Sequence, residues 1–313
     1  MTDFSKTLIR CHAIGKIMTS CRGKSNMDKY LDCVVELERK QQQYNGAKNK
    51  DTKQALGWAE KIRELEALLP ALDAVKHEDA LSDTCKTYLI QSYVLSKYGR
   101  VMEVKTKQMI KGIISEDDSI ELFSVIDRKP YLKNTERISN DFISGTPDLF
   151  DGDDIHRCNE IIDIKSSYDI FTFLSNVQKL SDVEDDATIA YYWQLQGYMA
   201  LTGAKIGTLA YCLVNTPESI IEGEKYALLK RLDVATEEHP DFKRELSKLL
   251  ANRYFDDISM EERLLTYSVE RNDDDIQKIY SKVVKCREFL SEFEQSHLKF
   301  SKTYRKKLIS FAA

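Results

Sequence analysis

The sequence predicts an α/β protein of the α+β kind, a central mixed β-sheet flanked by helices. Three observations predict it. Four strand-length apolar runs crowd the middle of the chain, at about 138–144, 146–150, 160–165 and 206–214. Helical patterns fill the gap between the last two runs, which is the spacing a crossover between neighbouring strands requires. Outside this region the apolar residues recur at helical intervals.

Residues from about 5 to 22 read as a short helix with small residues, carrying Arg10 and Lys16. A helical pattern at about 27–44 takes its apolar positions from Tyr30, Leu31, Val34, Val35 and Leu37. A polar break at 45–50 precedes a second helix through Trp58, Ile62, Leu65, Leu68 and Leu69. The pair forms a helical hairpin at about 28–75. Ser82 or Asp83 caps the next helix, which runs through Tyr88, Leu89, Tyr93 and Leu95 to Gly99. Residues 101–105 and 137–143 look extended, and a helix at about 105–123 is interrupted near 115–118. Asp169 is a good N-cap for one crossover helix, and Gly203 ends the other, at about 188–202. An acidic loop at 181–186 separates them. Beyond Pro217 come helical segments, a strand at 264–269 and a long helix at about 273–294. The last stretch holds Lys299, Lys302, Arg305, Lys306 and Lys307.

At 313 residues the chain can bury a substantial core. It is 42% hydrophobic and 31% charged, which suits a folded globular chain rather than a disordered one. No apolar run is long enough to span a bilayer, and the first residues lack the charged-then-apolar plan of a signal peptide. Seven scattered cysteines without a CxxC pair argue against a zinc ribbon and for free thiols in a reducing cytoplasm. The five histidines lack HExxH spacing, so a histidine-based metal centre is not expected. A net charge of −5 excludes a uniformly basic nucleic-acid coat. It leaves room for an enzyme that concentrates acid at a metal site and places basic groups locally.

The chemistry concentrates between Gly145 and Lys165. The turn Thr146-Pro147-Asp148 is followed by the strand Ile161-Ile162-Asp163-Ile164-Lys165. Side chains alternate along a strand, so Asp163 and Lys165 share one face while Ile162 and Ile164 enter the core. Asp148 can return beside Asp163 through a hairpin. Two carboxylates and an ammonium in that arrangement are a minimal kit for metal-dependent phosphodiester hydrolysis. Asp-x-Lys alone also describes an exposed strand edge, but β-branched flanks favour a central strand, where the charges need a cation or a wet cleft.

These residues resemble the PD-(D/E)xK nuclease superfamily. The segment 191–203, with Gln194 and Tyr198 one helical turn apart, looks like the Gln-x-x-x-Tyr helix of its RecB-like branch. It is especially similar to the Gln-x-Gln helix of lambda-exonuclease and YqaJ-type phage recombination nucleases, with Gln196 as the second glutamine. Gly112 to Glu116 resembles the Gly-x-x-x-Glu segment of the same group, although a solvated acidic turn is the other reading. Ile9-Arg10-Cys11-His12 looks like the Arg-x-Ser segment that contacts a DNA 5′ end, with His12 where Ser is usual.

The resemblance covers residues 80–215 and implies a restriction-endonuclease-like core. A single domain would then span 1–313, with the hairpin at 28–75 inserted and 216–313 as a C-terminal extension. The hairpin reads either as a solvated structural arm or as a DNA- or subunit-facing one. The implied cofactor is one or two Mg²⁺ or Mn²⁺ ions, held by Asp148, Asp163, the Ile164 carbonyl and Glu116. Lys165 would activate water, and Gln194 would hold Lys165 or the water in place. Arg10, Ser166, Ser167, Gln196 and Tyr198 would touch nucleic acid. The implied activity is a 5′–3′ exonuclease on linear double-stranded DNA in phage-type recombination or DNA processing. An endonuclease of the same superfamily and an inactive DNA-binding scaffold are the alternatives. Relatives of this kind form homo-oligomeric rings and work beside a single-strand annealing protein. The implied location is the cytoplasm, that of a bacterial host if the chain is phage-encoded.

Overall fold

In a computed structural model of the chain, the described residues are 3–20, 23–76, 80–103, 105–181 and 186–311. The acidic run 182–185 lies outside them, as do the side chains of Lys302, Arg305, Lys306 and Lys307. The chain divides into two compact units. One is Met1–Met18 with Leu89–Ala313, and the other is Thr19–Tyr88.

The larger unit opens with strand β1 (Ile9–Arg10) and a short turn into helix α1 (Ile14–Met18). The smaller unit is built on α2 (Asn26–Asn45) and α3 (Lys53–Val75). Ser25 and Asp28 form a reciprocal capping box at the start of α2, and Thr52 caps α3. Cys33, Ala55 and Leu65 are the buried residues of the pair. α4 (Asp83–Tyr98) carries the division between the units.

The rest belongs to the larger unit. α5 (Lys107–Ile114) and α6 (Glu116–Asp127) are separated at Ser115, where the backbone leaves helical geometry at φ −93°, ψ 11°. β2 (Ile138–Ser139) and β3 (Ile143–Gly145) follow, then β4 (Leu149–Phe150) and β5 (Glu160–Ser166). α7 (Ile170–Ser181) and α8 (Asp186–Thr202) lead to β6 (Ile206–Cys212). α9 (Glu218–Leu232), α10 (Pro240–Ala251), β7 (Leu264–Glu270) and α11 (Asp273–Phe311) complete the order.

The α+β class is as expected, with the strands divided between two mixed sheets. One has the order β1-β3-β2, and the other β4-β5-β6-β7. β5 and β6 are parallel, and β4 and β7 flank them antiparallel. Pro147 explains the division. It has no N–H to donate, so the run expected at 146–150 forms a ladder only at Leu149–Phe150. The run at 138–144 also breaks, because the Asn140 side chain accepts from the N–H groups of Phe142 and Ile143 and tightens a turn. Residues 5–22 do not form one helix. Ile9 is buried and pairs in parallel with Ile143, so Arg10 sits on a strand.

The second sheet is covered on both faces. Ile162 and Ile164 pack with Leu149, Ala210 and Cys212 against Ile120, Leu122 and Phe123 of α6. Burying each such side chain contributes about 1.5–3 kcal/mol. The other face carries Ile161, Asp163 and Lys165 and meets α8. There Gly207 lets Leu195 and Met199 approach the strand backbone. α8 also lies close to β3. A Cβ at Gly145 would stand 2.6 Å from Tyr198 Cε1 and 2.7 Å from Cys11 Sγ.

A ring and a buried thiol cannot both retreat, so Gly145→Ala should destabilise the fold by about 1–3 kcal/mol. Urea denaturation checks this. An unchanged midpoint would mean that α8 can shift freely.

Candidate active site

The central strand dictates the geometry. β5 presents Asp163 and Lys165 on the α8 face, and Asp163 is only 2% exposed. Extending the β4–β5 register by one residue sets Asp148 opposite Asp163. Asp148 has passed the end of the ladder, and its Oδ2 accepts the N–H of Ile164 at 2.7 Å. A side chain thus takes the place of a missing strand partner.

Helix α8 supplies the support. Gln194 Nε2 donates to Asp163 Oδ1 at 2.9 Å and to the Tyr198 hydroxyl at 3.2 Å. Lys165 Nζ forms an ion pair with Asp163 Oδ2. It also lies 3.4 Å from the Ile164 carbonyl oxygen and 5.5 Å from the centre of the Tyr191 ring. Burial alone would lower the Lys165 ammonium, but the Asp163 and Asp148 carboxylates hold it above the usual lysine range. Burial, and then the Asp163 charge, push the Asp148 carboxyl up to about 7. Burial and the same charge raise the Tyr198 phenol.

This donor set fits a hard divalent cation. Asp163 Oδ2 is buried and, among the described residues, meets only the Lys165 ammonium, in an ion pair. Asp148 engages one oxygen with Ile164, and no hydrogen bond to its other oxygen is found among the described residues. An open oxygen at Asp148, an Asp163 oxygen held only by an ion pair, and a nearby carbonyl are donors of the kind Mg²⁺ or Mn²⁺ takes. Glu116 opens α6 on the same cleft, but it pairs with Lys133 at 2.8 Å. Among the described residues, no three acidic, imidazole or thiol side chains group closely enough to hold a metal by themselves.

A cleft of about 770 Å³ runs past Glu116, Asp148, Ile164, Lys165, Ser166 and Ser167. Ser166 shares a 2.7 Å hydrogen bond with Ser119, while the buried Ser167 hydroxyl has no partner among the described residues. A second pocket of about 170 Å³ gathers Arg10, Arg137, Ser144 and Thr146, and His12 lines both. Arg137 donates to Ser144 Oγ at 2.9 Å. His12 stands at the surface, yet partial burial of its ring and the charges of Arg10, Lys16, Lys165 and Arg137 hold its imidazole below the usual range.

Two residues expected to touch nucleic acid are placed elsewhere. Gln196 is fully buried; it donates to the Glu270 carbonyl at 2.8 Å and accepts from Asn272 N–H at 2.9 Å. Its amide is committed to the β7–α11 junction. Tyr198 is 5% exposed and packs between Gly145 and Gln194, so it supports the site from behind. Sequence reasoning missed Lys133, Arg137 and Tyr191. The first two reach the site only through the fold. Tyr191 precedes Gln194 by three residues, a spacing that puts both on one helical face.

No family model matches this sequence, and no curated protein matches it. Solved structures do. A phage-related exonuclease from Haemophilus somnus 129PT superposes with a TM-score of 0.56 at 21% identity, over 93% of this chain and 97% of that one. The chain shares the fold of that exonuclease. An alkaline exonuclease from Laribacter hongkongensis matches at a TM-score of 0.44 and 14% identity, covering 72% of this chain and 87% of its own. A structure of the same enzyme with dAMP matches at 0.44 and 15%, over the same shares.

The raised Asp148 pKa has a stability consequence. The folded state holds this proton more tightly than the unfolded chain, so ionisation costs stability as pH rises from about 4 toward 7. Asp148→Asn keeps the acceptor for Ile164 and removes that cost. It should raise the melting temperature of the metal-free protein by a few degrees at pH 8, with a smaller gain at pH 5.5. Calorimetry at the two pH values checks this, and an equal gain at both would deny the shift.

Proposed function

We propose that this chain is a metal-dependent DNA nuclease, and within that class a 5′–3′ exonuclease on linear double-stranded DNA, acting in phage-type recombination or DNA processing. One observation carries the reading. Asp148 and Lys165, the latter paired with the buried Asp163, line a cleft that shares His12 with a basic pocket holding Arg10 and Arg137. A terminal phosphate seated on those guanidiniums would present a bond near the strand end to the carboxylates, which suits an enzyme working from an end. The shared fold with a phage-related exonuclease supports the same reading.

Asp148, Asp163 and the Ile164 carbonyl would hold Mg²⁺ or Mn²⁺, with Glu116 beside them. When bound, such an ion acidifies water and offsets the charge that develops on the phosphoryl group. Lys165 places an ammonium where the attacking water is oriented and loses its proton. Gln194 fixes Asp163 by its Oδ1, which leaves Oδ2 directed at the reaction. Tyr198 fixes Gln194 in turn.

Digestion of end-labelled linear duplex with Mg²⁺ tests the proposal. Mononucleotides should be released, and Asp163→Ala or Lys165→Ala should reduce the rate by about 10²–10³ or more. Wild-type rates in either variant would remove the site assignment. Nicking of a circular duplex, with no mononucleotides from the linear one, would establish the endonuclease alternative. An inert chain whose Mn²⁺ binding does not depend on Asp148 would establish the scaffold.

The basic pocket makes its own prediction. A 5′-phosphorylated end should be degraded faster than a 5′-hydroxyl end, and Arg137→Ala should erase most of that difference. Equal rates on both ends with the wild type would detach the pocket from end recognition.

A further inference from the structure

The catalytic cleft extends beyond the acidic residues along α7. Thr172, Asn176 and Lys179 all line it. They lie at i, i+4 and i+7, so the helix places them in one stripe on one face. At about 1.5 Å rise per residue the stripe is about 10 Å long, roughly three nucleotides of a stacked strand at about 3.4 Å each.

The stripe runs from the exposed Thr172 through the buried Asn176 to the half-buried Lys179. Asn176 is 5% exposed. No hydrogen bond to its amide, and no ion pair to the Lys179 ammonium, is found among the described residues. A carboxamide this buried ordinarily has a protein partner. Ser167, where β5 hands over to α7, has a buried hydroxyl that also lacks one among the described residues. A hydroxyl, an amide and an ammonium, aligned and unspent, are donors waiting for an acceptor chain. The same cleft is lined by the rings of Tyr191 and Tyr211, whose centres lie 6.2 Å apart. Donors for a backbone beside the half-buried Tyr191 ring, which the core residue Tyr211 backs, suit an unpaired strand, because the bases of a duplex are turned inward.

We propose that Thr172, Asn176 and Lys179 of α7, entered through Ser167, form a phosphate-binding track for one nucleic-acid strand running away from the scissile bond. The track rests on the nuclease reading for its direction. It does not use the metal site or the Arg10–Arg137 pocket. Asn176 donates its amide N–H to a phosphate oxygen, and Lys179 supplies the charge.

Fluorescence anisotropy with a labelled ten-residue oligothymidylate in EDTA tests this, since metal-dependent hydrolysis is then suspended. Asn176→Asp keeps the side-chain shape and replaces a donor by a repelling charge. Lys179→Ala removes a partly exposed charge and carries little risk to folding. Each should weaken binding about five- to tenfold, and Lys179→Ala should also reduce the salt slope by about one. Should Asn176→Asp lower the melting temperature, Lys179→Ala decides alone. Wild-type affinity and slope in Lys179→Ala, or a wild-type protein that does not bind the oligonucleotide, would overturn the track. If the wild type cleaves DNA while Lys179→Ala binds unchanged, only the track falls. If the wild type is inert but both variants lose binding, the nuclease reading falls and the track stands.

Discussion

A carboxylate in the middle of a buried strand is the constraint on which the structure turns. Asp163 is 2% exposed, with isoleucines on both sides along β5. An ionised group cannot stay there alone, because desolvation would exceed any gain from local packing. The structure answers from two directions. Lys165, two residues along the same strand, brings a counter-charge. Gln194, on the helix that covers the strand, brings a hydrogen bond. The bare glycine surfaces under α8 follow from this need, since a polar contact of 2.9 Å demands that helix and sheet come close.

The same arrangement stores cost where chemistry is wanted. Asp148 and Asp163 face each other across the end of a ladder, and the first cannot ionise easily beside the second. Lys165 relieves part of the repulsion. What remains is an uneven settlement: both Asp163 oxygens meet protein groups, Gln194 at one and Lys165 at the other, while Asp148 commits one oxygen to the Ile164 N–H.

Much of this was legible in the sequence. β5 announced itself by an isoleucine-rich run, whereas the strand expected at 146–150 shortened to Leu149–Phe150 because Pro147 has no N–H to donate. Alternation along the strand put Asp163 and Lys165 together and sent Ile162 and Ile164 to the α6 side, where they are found. The end of the first α5–α6 run near Ser115 was visible as well. Other features were not. β1 has only two residues, too few for any period to show, and its existence depends on Ile143, far along the chain. The pairing of Lys133 with Glu116 and the meeting of Arg137 with Arg10 are likewise tertiary. Gln196 is a different matter, because helical geometry could have corrected it. Residues two apart on a helix point to nearly opposite sides. Gln194 and Gln196 therefore could not both face the site.

That opposition gives α8 a second role. Gln194 grips Asp163 on β5, and two positions later Gln196 grips the backbone at Glu270 and Asn272, where the chain leaves β7 and enters its last helix. The helix thus bridges the buried carboxylate of β5 and the junction that leads into the last helix. Heat or denaturant that frees that junction would remove the support of Asp163 in the same event, so the two packings belong to one cooperative unit.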